Sequence, residues 1–273
     1  MPFPYKKVLV VGATSGIGEA LATKLVSQGI KVVVAGRRKE KLDAFVRTHG
    51  SDKASAVVFD VTQLAQIPSF AAAVTAAHPD LDCVFLNSGI QRGMNFTRPE
   101  TLDLASFDNE LTTNYTSFIH LTVAFLPFLQ QKKSRTGIIY TTSALALTPM
   151  VRCPNYCATK AALHHFVLAL RQQMTDGGFD VQVIEIFPPA VQTELHDAAV
   201  QPDIKDGRQM GIPLQQFVDE AWAGLDGAKD QIPVGWARVA FDGWEQERQK
   251  GFSDFTESLA PMTKDFYAHG SEA

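Results

Sequence analysis

Cysteine is scarce in this chain. Cys83, Cys153 and Cys157 are too few, and odd in number, for a paired disulfide framework, and their spacing matches no common zinc motif. That pattern points to a reduced, cytoplasmic setting. His164, His165 and His196 lack metal-ligand spacing with suitable partners, so no metal site is expected. Long apolar runs are also missing. None approaches the roughly 18 residues of a membrane-spanning helix, and the opening Met1-Pro-Phe-Pro-Tyr-Lys-Lys7 lacks the apolar stretch of a secretory signal. Neither sign of charge dominates. A net charge of −4 and a pI near 6.0 argue against a polyanion-binding surface, and so against nucleic acid as the main partner. Low-complexity linkers and internal repeats are absent too, which leaves one undivided domain despite the 273-residue length.

What is present is an alternation of strand-like and helical segments. Apolar runs near 7–11, 31–35, 55–59, 82–87, 136–142, 180–186 and 230–234 read as strands, with helices between them near 16–28, 38–47, 63–77, 101–131, 155–176 and 213–226. Continuous runs such as Val32-Val33-Val34 and Val181 to Ile186 suit strands covered on both faces. The fold class is therefore α/β: a single Rossmann-type, doubly wound parallel sheet with helices on both faces.

Two local patterns carry chemistry. Strand Val8–Val11 runs into Gly12-Ala-Thr14-Ser15-Gly16-Ile17-Gly18 and then a helix with Ile17, Leu21 and Leu25 on one stripe. Glycines there allow a tight turn and close approach of a pyrophosphate, and the helix N-terminus offers free N–H groups. Far downstream, Tyr156 and Lys160 stand one helical turn apart, with Ser143 upstream. An ammonium beside a phenol is expected to favour the phenolate and lower its pKa, which makes the phenol a usable acid or base. The flanking Cys153 and Cys157 read as small packing residues.

The glycine spacing is Gly-x3-Gly-x-Gly, and with it the chain resembles the short-chain dehydrogenase/reductase family from about residue 6 to about residue 235. Gly12, Gly16, Ile17 and Gly18 match that family's turn, and Ser143, Tyr156 and Lys160 match its active-site residues. Asn114 matches a helix-borne asparagine, Asp60-Val61 an adenine-side pair, and Leu86-Asn87-Ser88-Gly89 the end of its fourth strand. Val11, Leu86 and Pro189 depart from the family pattern. Proline at 189 stiffens the loop after the sixth strand, and the surrounding Pro-Pro-Ala-Val-x-Thr stretch is similar to that of DltE-type oxidoreductases.

The resemblance implies hydride transfer between a nicotinamide and a carbonyl or alcohol carbon. Tyr156 is then the proton donor, and Lys160 depresses its pKa and holds ribose hydroxyls. Ser143 bonds the substrate oxygen, and Asn114 fixes a water that links Lys160 to solvent. Cofactor contacts are expected from Gly12, Thr14, Ser15, Gly16, Ile17 and Gly18, from Arg37 and Arg38, from Asp60 and Val61, and from Asn87, Ser88 and Gly89. Tyr156, Lys160, Pro188, Val191 and Thr193 complete the set. Gly36 stands where NAD-preferring relatives carry Asp, and two arginines at a helix start want an anion, so the cofactor is expected to be NADP (NADPH).

The pocket frame is expected from Gln91–Met94, Leu145–Val151 and the substrate loop 194–212. The apolar middle segment favours an apolar ketone or aldehyde, and Arg152 reads as a surface arginine. NAD-linked oxidation of an alcohol or hydroxysteroid, a non-catalytic NADPH sensor and a sugar-nucleotide epimerase stay open as other readings.

Two expectations concern assembly. Phe118, Leu121, Phe125 and Phe128 form one stripe of a helix and Tyr115, Ile119, Thr122 and Leu126 another, which points to a homodimer or homotetramer. Residues 1–235 form the catalytic unit, and 236–273 extend past it. Trp236, Phe241, Trp244, Phe252, Phe255, Leu259, Phe266 and Tyr267 are too many large apolar groups for a free end. The tail is expected to dock near the pocket mouth or a subunit interface, with a helix from Val239 to Gln249 stopped at Gly251.

Overall fold

Why the strands bury both faces is visible in their alternation. In β1 (Lys7–Val11), Val8 and Val10 point to one side and Leu9 and Val11 to the other. In β2 (Lys31–Gly36), Val32 and Val34 oppose Val33 and Ala35 in the same way. A computed structural model, which describes residues 3–263, arranges these with β3 (Ala54–Val58), β4 (Cys83–Leu86), β5 (Thr136–Thr141), β6 (Val181–Phe187) and β7 (Gln231–Pro233) in one sheet. Every pairing is parallel, and the order is β3-β2-β1-β4-β5-β6-β7.

Helices α1 (Gly16–Ser27), α2 (Lys39–His49) and α7 (Leu214–Asp226) cover one face. Helices α3 (Ile67–Ala77), α5 (Ser117–Gln130) and α6 (Pro154–Asp176) cover the other. The order reverses between β1 and β4, and the crevice beyond their carboxyl ends is where doubly wound sheets bind ligands. No helix among the described residues is long and apolar enough to cross a membrane.

The long helix expected over 101–131 is broken. Helix α4 (Leu104–Leu111), capped by the Asp103 carboxylate accepting the Ala105 N–H at 3.0 Å, gives way to a π turn at Thr112–Thr116 before α5. The extra residue of a π turn re-aims the side chains that follow, and Asn114 lies inside it. In α5, Phe118, Leu121, Phe125 and Leu129 are buried, Ile119 and Leu126 are half-buried, and Val123 is exposed.

The extension behaves differently from its expected pattern. Helix α8 (Ala237–Ala240) passes through a second π turn (Phe241–Glu245) into α9 (Gln246–Thr263). Gly251 does not stop α9. It stands exposed inside the helix, where added backbone freedom costs only roughly 1 kcal/mol. Phe241 packs with Ala144, Phe187 and Ala237, whereas Phe255 is exposed, and Phe266 and Tyr267 lie outside the described residues.

The docking of the extension is ionic as well as apolar. His164 on α6 sets Nδ1 at 2.9 Å from both oxygens of Glu185 on β6, and Nε2 at 2.9 Å from Glu245 Oε1. Arg248 and Gln249 donate to Glu245 as well, and Arg248 Nη2 lies 2.8 Å from His164 Nε2. Burial alone would lower the imidazole pKa, but Glu185 and Glu245 outweigh that effect and lift it to about 9. Burial likewise works against the Glu245 carboxylate. Bonds from His164, Arg248 and Gln249 bring its pKa down to about 2.

The signs define a window. The raised histidine contributes fully below its ordinary 6.5 and loses that contribution as pH rises through about 9, while the lowered glutamate contributes above 4.5 and loses it as pH falls toward about 2. The lock is therefore strongest between pH 4.5 and 6.5. Removing one partner of such a buried pair costs about 3–5 kcal/mol, so Glu245→Gln is expected to lower the melting temperature at pH 6 and to flatten its decline toward pH 9. Melting curves at the two pH values check this, and a variant as stable as the parent at pH 6 contradicts it.

Candidate active site

The turn after β1 sets the nucleotide end. Gly12 (φ +86°) and Gly16 (φ +56°) hold backbone conformations that side chains disfavour, and a Cβ on Gly12 would fall 2.7 Å from the Ser88 backbone nitrogen. Gly18 packs under the turn, where a Cβ would collide with Gly12 O and lie 2.6 Å from Asn87 Nδ2. These contacts bring the start of α1, with its unpaired N–H groups, directly against the crevice.

The crevice is a cavity of about 740 Å³ along the carboxyl edge of the sheet. Gly12, Thr14, Ser15, Gly16 and Ile17 line it, as do Arg37, Arg38, Asp60, Val61, Asn87, Ser88 and Gly89. Ser143, Tyr156, Lys160, Pro188, Val191 and Thr193 line it from the β5 and β6 side. Gly18 and Asn114 do not. Both stand behind the wall, the first for the steric reason above. Asn114 is fully buried, and its Oδ1 accepts the Ile90 N–H at 2.9 Å while Nδ2 donates to Ile90 O at 2.8 Å. Its amide thus splints the segment after β4, and Nδ2 also reaches Thr159 Oγ1 at 3.3 Å.

At the chemical centre, Ser143 follows β5 and accepts the Leu145 N–H at 3.0 Å. Its hydroxyl also acts on the Tyr156 phenol, favouring the ionised form. Lys160 donates to Thr141 O at 2.9 Å, and its Nζ lies 5.8 Å from the centre of the Tyr156 ring. Burial pushes the lysine pKa down to about 7, against the pull of Glu110 and Glu185. Burial pushes the tyrosine up from its ordinary value, opposed by the Ser143 bond. Burial therefore opposes the lowered phenol expected from the sequence. Desolvation of the ring exceeds the pull of Ser143 toward the phenolate.

The two arginines after β2 have different surroundings. Arg38 donates to Thr14 Oγ1 (3.0 and 3.1 Å) and Ser15 Oγ (2.5 Å), and pairs with Glu194 at 2.7 Å. Arg37 is exposed and has no ion pair among the described residues. Beyond the Val191–Ile212 bridge, the intervening loop folds back over the cavity. It is pinned at its far side by Asp203, which accepts Arg152 through both oxygens at 2.6 and 2.8 Å. Arg152 is thus a buttress of the cavity wall. Sequence reasoning passed over Gln201, and it named His196 only as a poor metal ligand, Trp236 only as an apolar group of the tail and position 194 only as the edge of the substrate loop, because each lines or braces the cavity through contacts that no local pattern marks. No cluster of His, Cys, Asp or Glu among the described residues has the makings of a metal site.

The glycine turn, the open helix start and the elongated cavity fit a dinucleotide, and relatives agree. Residues 6–203 match the short chain dehydrogenase family. The chain is 33% identical over 226 residues to the uncharacterized oxidoreductase DltE of Bacillus subtilis, covering 82% of this chain and 86% of that one. It is 33% identical over 184 residues to the NADP-dependent 3-hydroxy acid dehydrogenase YdfG of Salmonella typhi, covering 67% and 72%. Among solved structures, the closed form of a serine dehydrogenase complexed with NADP+ superposes with a TM-score of 0.72 at 27% identity, covering 84% and 94%. The turn, the Ser143–Tyr156–Lys160 centre and this match over most of the sheet make the chain a member of the short-chain dehydrogenase/reductase family, an oxidoreductase of alcohols and carbonyls that uses a nicotinamide cofactor.

Proposed function

We propose that the protein is an NADP(H)-dependent carbonyl reductase acting on a ketone or aldehyde with a mainly apolar body. The observation that carries this reading is a single cavity lined at one end by Thr14 and Arg37 and at the other by Ser143 and Tyr156. When bound, the cofactor supplies or accepts the hydride. Tyr156 gives its proton to the carbonyl oxygen, and Ser143 donates a hydrogen bond to that oxygen as charge develops on it. Lys160 stabilises the phenolate left behind, a role suited to a buried amine that titrates near neutrality. Leu145, Met150, Leu195, Val200, Ile204 and Trp236 supply the apolar lining.

Two features favour NADP over NAD. Arg37, with no ion pair among the described residues, stands ready for a 2′-phosphate. Gly36 leaves no room for the carboxylate that reads a ribose hydroxyl, because a Cβ there would come within 2.6 Å of Thr14 Cγ2. The NADP named for the YdfG relative and for the serine dehydrogenase points the same way.

We further infer a cytoplasmic homo-oligomer. Three free buried cysteines suit a reducing compartment, and the exposed Val123 with half-buried Ile119 and Leu126 on α5 suits a helix-mediated subunit contact. Residues 1–235 serve as the catalytic unit and 236–273 as an extension of it.

The decisive experiment is NADPH and NADH oxidation against a panel of carbonyl compounds. Tyr156→Phe is expected to lower kcat by several orders of magnitude with NADPH binding retained, because the change deletes a proton donor and little volume. Near-normal turnover in that folded variant ends the catalytic assignment. Arg37→Asp is expected to weaken NADPH binding about tenfold to a hundredfold, the worth of one charge-assisted hydrogen bond, and to shift preference toward NADH. Titration of both nucleotides checks this, and equal affinity of the parent for NADH and NADPH defeats the arginine argument.

A further inference from the structure

His196 closes the turn Glu194–His196 and lines the cavity, yet it is only 5% exposed. Its backbone is held in place by Gly207, where any Cβ would overlap the His196 carbonyl oxygen. The state of its ring follows from its neighbours. Gln201, 1% exposed, accepts Arg152 Nη1 at 2.7 Å through Oε1. A guanidinium only donates, so this contact fixes which end of the amide is oxygen.

The amide nitrogen of Gln201 then faces Leu195 O at 2.7 Å, Gln91 Oε1 at 3.3 Å and His196 Nδ1 at 3.2 Å. One hydrogen goes to Leu195 O, and the other is shared between Gln91 and the imidazole. His196 Nδ1 is therefore an acceptor, and the ring proton sits on Nε2. Burial, with the nearby Arg152 charge, pushes the His196 pKa below its ordinary value, which keeps the ring neutral. Nε2 has no hydrogen-bond partner among the described residues, and it is not among the buried polar atoms left unsatisfied. Its N–H opens onto the cavity.

The surroundings indicate what that N–H meets. Arg92, Arg152 and Lys205 line the cavity together with two carboxylates, Asp203 and Glu194, which Arg152 and Arg38 engage, and Glu110 accepts the Arg92 backbone N–H at 2.7 Å. Arg92 donates only to Gln91 O among its side-chain bonds, and Lys205 is exposed without an ion pair among the described residues. The cavity wall thus combines a fixed neutral donor with a basic side chain, Lys205, that has no ion pair among the described residues.

We propose that His196 is a substrate-reading residue whose Nε2–H binds the carboxylate of a hydroxy or oxo acid, while Tyr156 and Ser143 act on its alcohol or carbonyl group. This rests on the oxidoreductase site above and adds an acidic group to its apolar-bodied substrate. The imidazole takes no part in proton transfer; it places the substrate and selects acids over simple alcohols.

The test compares 3-hydroxybutyrate with butan-2-ol as substrates of the NADP+-loaded enzyme. His196→Leu is expected to lower the ratio of kcat/KM for the acid over that for the alcohol by about tenfold to a hundredfold, the loss of one hydrogen bond to a charged acceptor. His196→Gln, whose amide nitrogen reaches a position near that of Nε2, is expected to recover most of the ratio. A second arm needs no turnover: calorimetry of 3-hydroxybutyrate with NADP+-loaded Tyr156→Phe should show binding that weakens at least about tenfold when His196→Leu is added. An unchanged ratio, a ratio lost equally in the Leu and Gln variants, or acid binding indifferent to residue 196 overturns the proposal. Acid binding that depends on His196 in a protein that oxidises neither alcohol sinks the enzymatic reading and leaves this site standing.

Discussion

The buried ammonium of Lys160 is the constraint around which the site is arranged. At 2% exposure the side chain has lost nearly all its hydration, and burial alone drives it toward the neutral form. Thr141 O from β5 accepts from it, Glu110 from α4 and Glu185 from β6 pull its pKa back up, and the Phe118 ring of α5 lies 5.4 Å from Nζ. Four elements thus converge on one nitrogen of α6, and keeping it partly charged at neutral pH requires all of them to stay in place. Glu185 is shared. The same carboxylate holds His164, so the ion network that docks the C-terminal extension also reaches Lys160 in the candidate site.

What could be read from the sequence was what is local. The β1 turn is fixed by three glycines within seven residues, and the strand pattern by alternation within each run, so the fold class and sheet were legible before any contact was known. The Tyr156–Lys160 spacing was legible for the same reason, because one helical turn is a local distance. Desolvation was not. Whether Tyr156 rises or falls in pKa depends on what is packed around it, and the spacing alone names only the favourable neighbour.

Contacts between distant segments were likewise out of reach. Arg38 and Glu194 are 156 residues apart, and His164 and Glu245 are 81 apart. Nothing in either neighbourhood announces the partner. Asn114 shows a subtler loss. Its helix was expected to run unbroken, and only the π turn at Thr112–Thr116 aims the amide at Ile90. Gly251 shows the converse, since a residue that reads locally as a stop is carried inside α9.

The ion pairs around the site divide by burial, and that division assigns them different mechanical roles. His164, Glu185 and Glu245 lie out of water, so opening their cluster strands a charge and costs several kcal/mol, on the order of 3–5. The clasps on the substrate loop, Arg38–Glu194 and Arg152–Asp203, are partly solvated and worth about 0–1 kcal/mol each. Behind α6 the protein is bolted, and in front of the cavity it is only latched. A site that must admit a dinucleotide and release it again needs this asymmetry. The loop between the Val191–Ile212 bridge and the Arg152 buttress is held by these weak clasps, while the tyrosine and lysine behind it are fixed by burial. Glu194 adds one further consequence. It pairs with Arg38 at 2.7 Å, which leaves the neighbouring Arg37 as an exposed guanidinium with no ion pair among the described residues. Two adjacent arginines thereby stand in different surroundings, one tied to the loop and the other lining the cavity without an ion pair among the described residues.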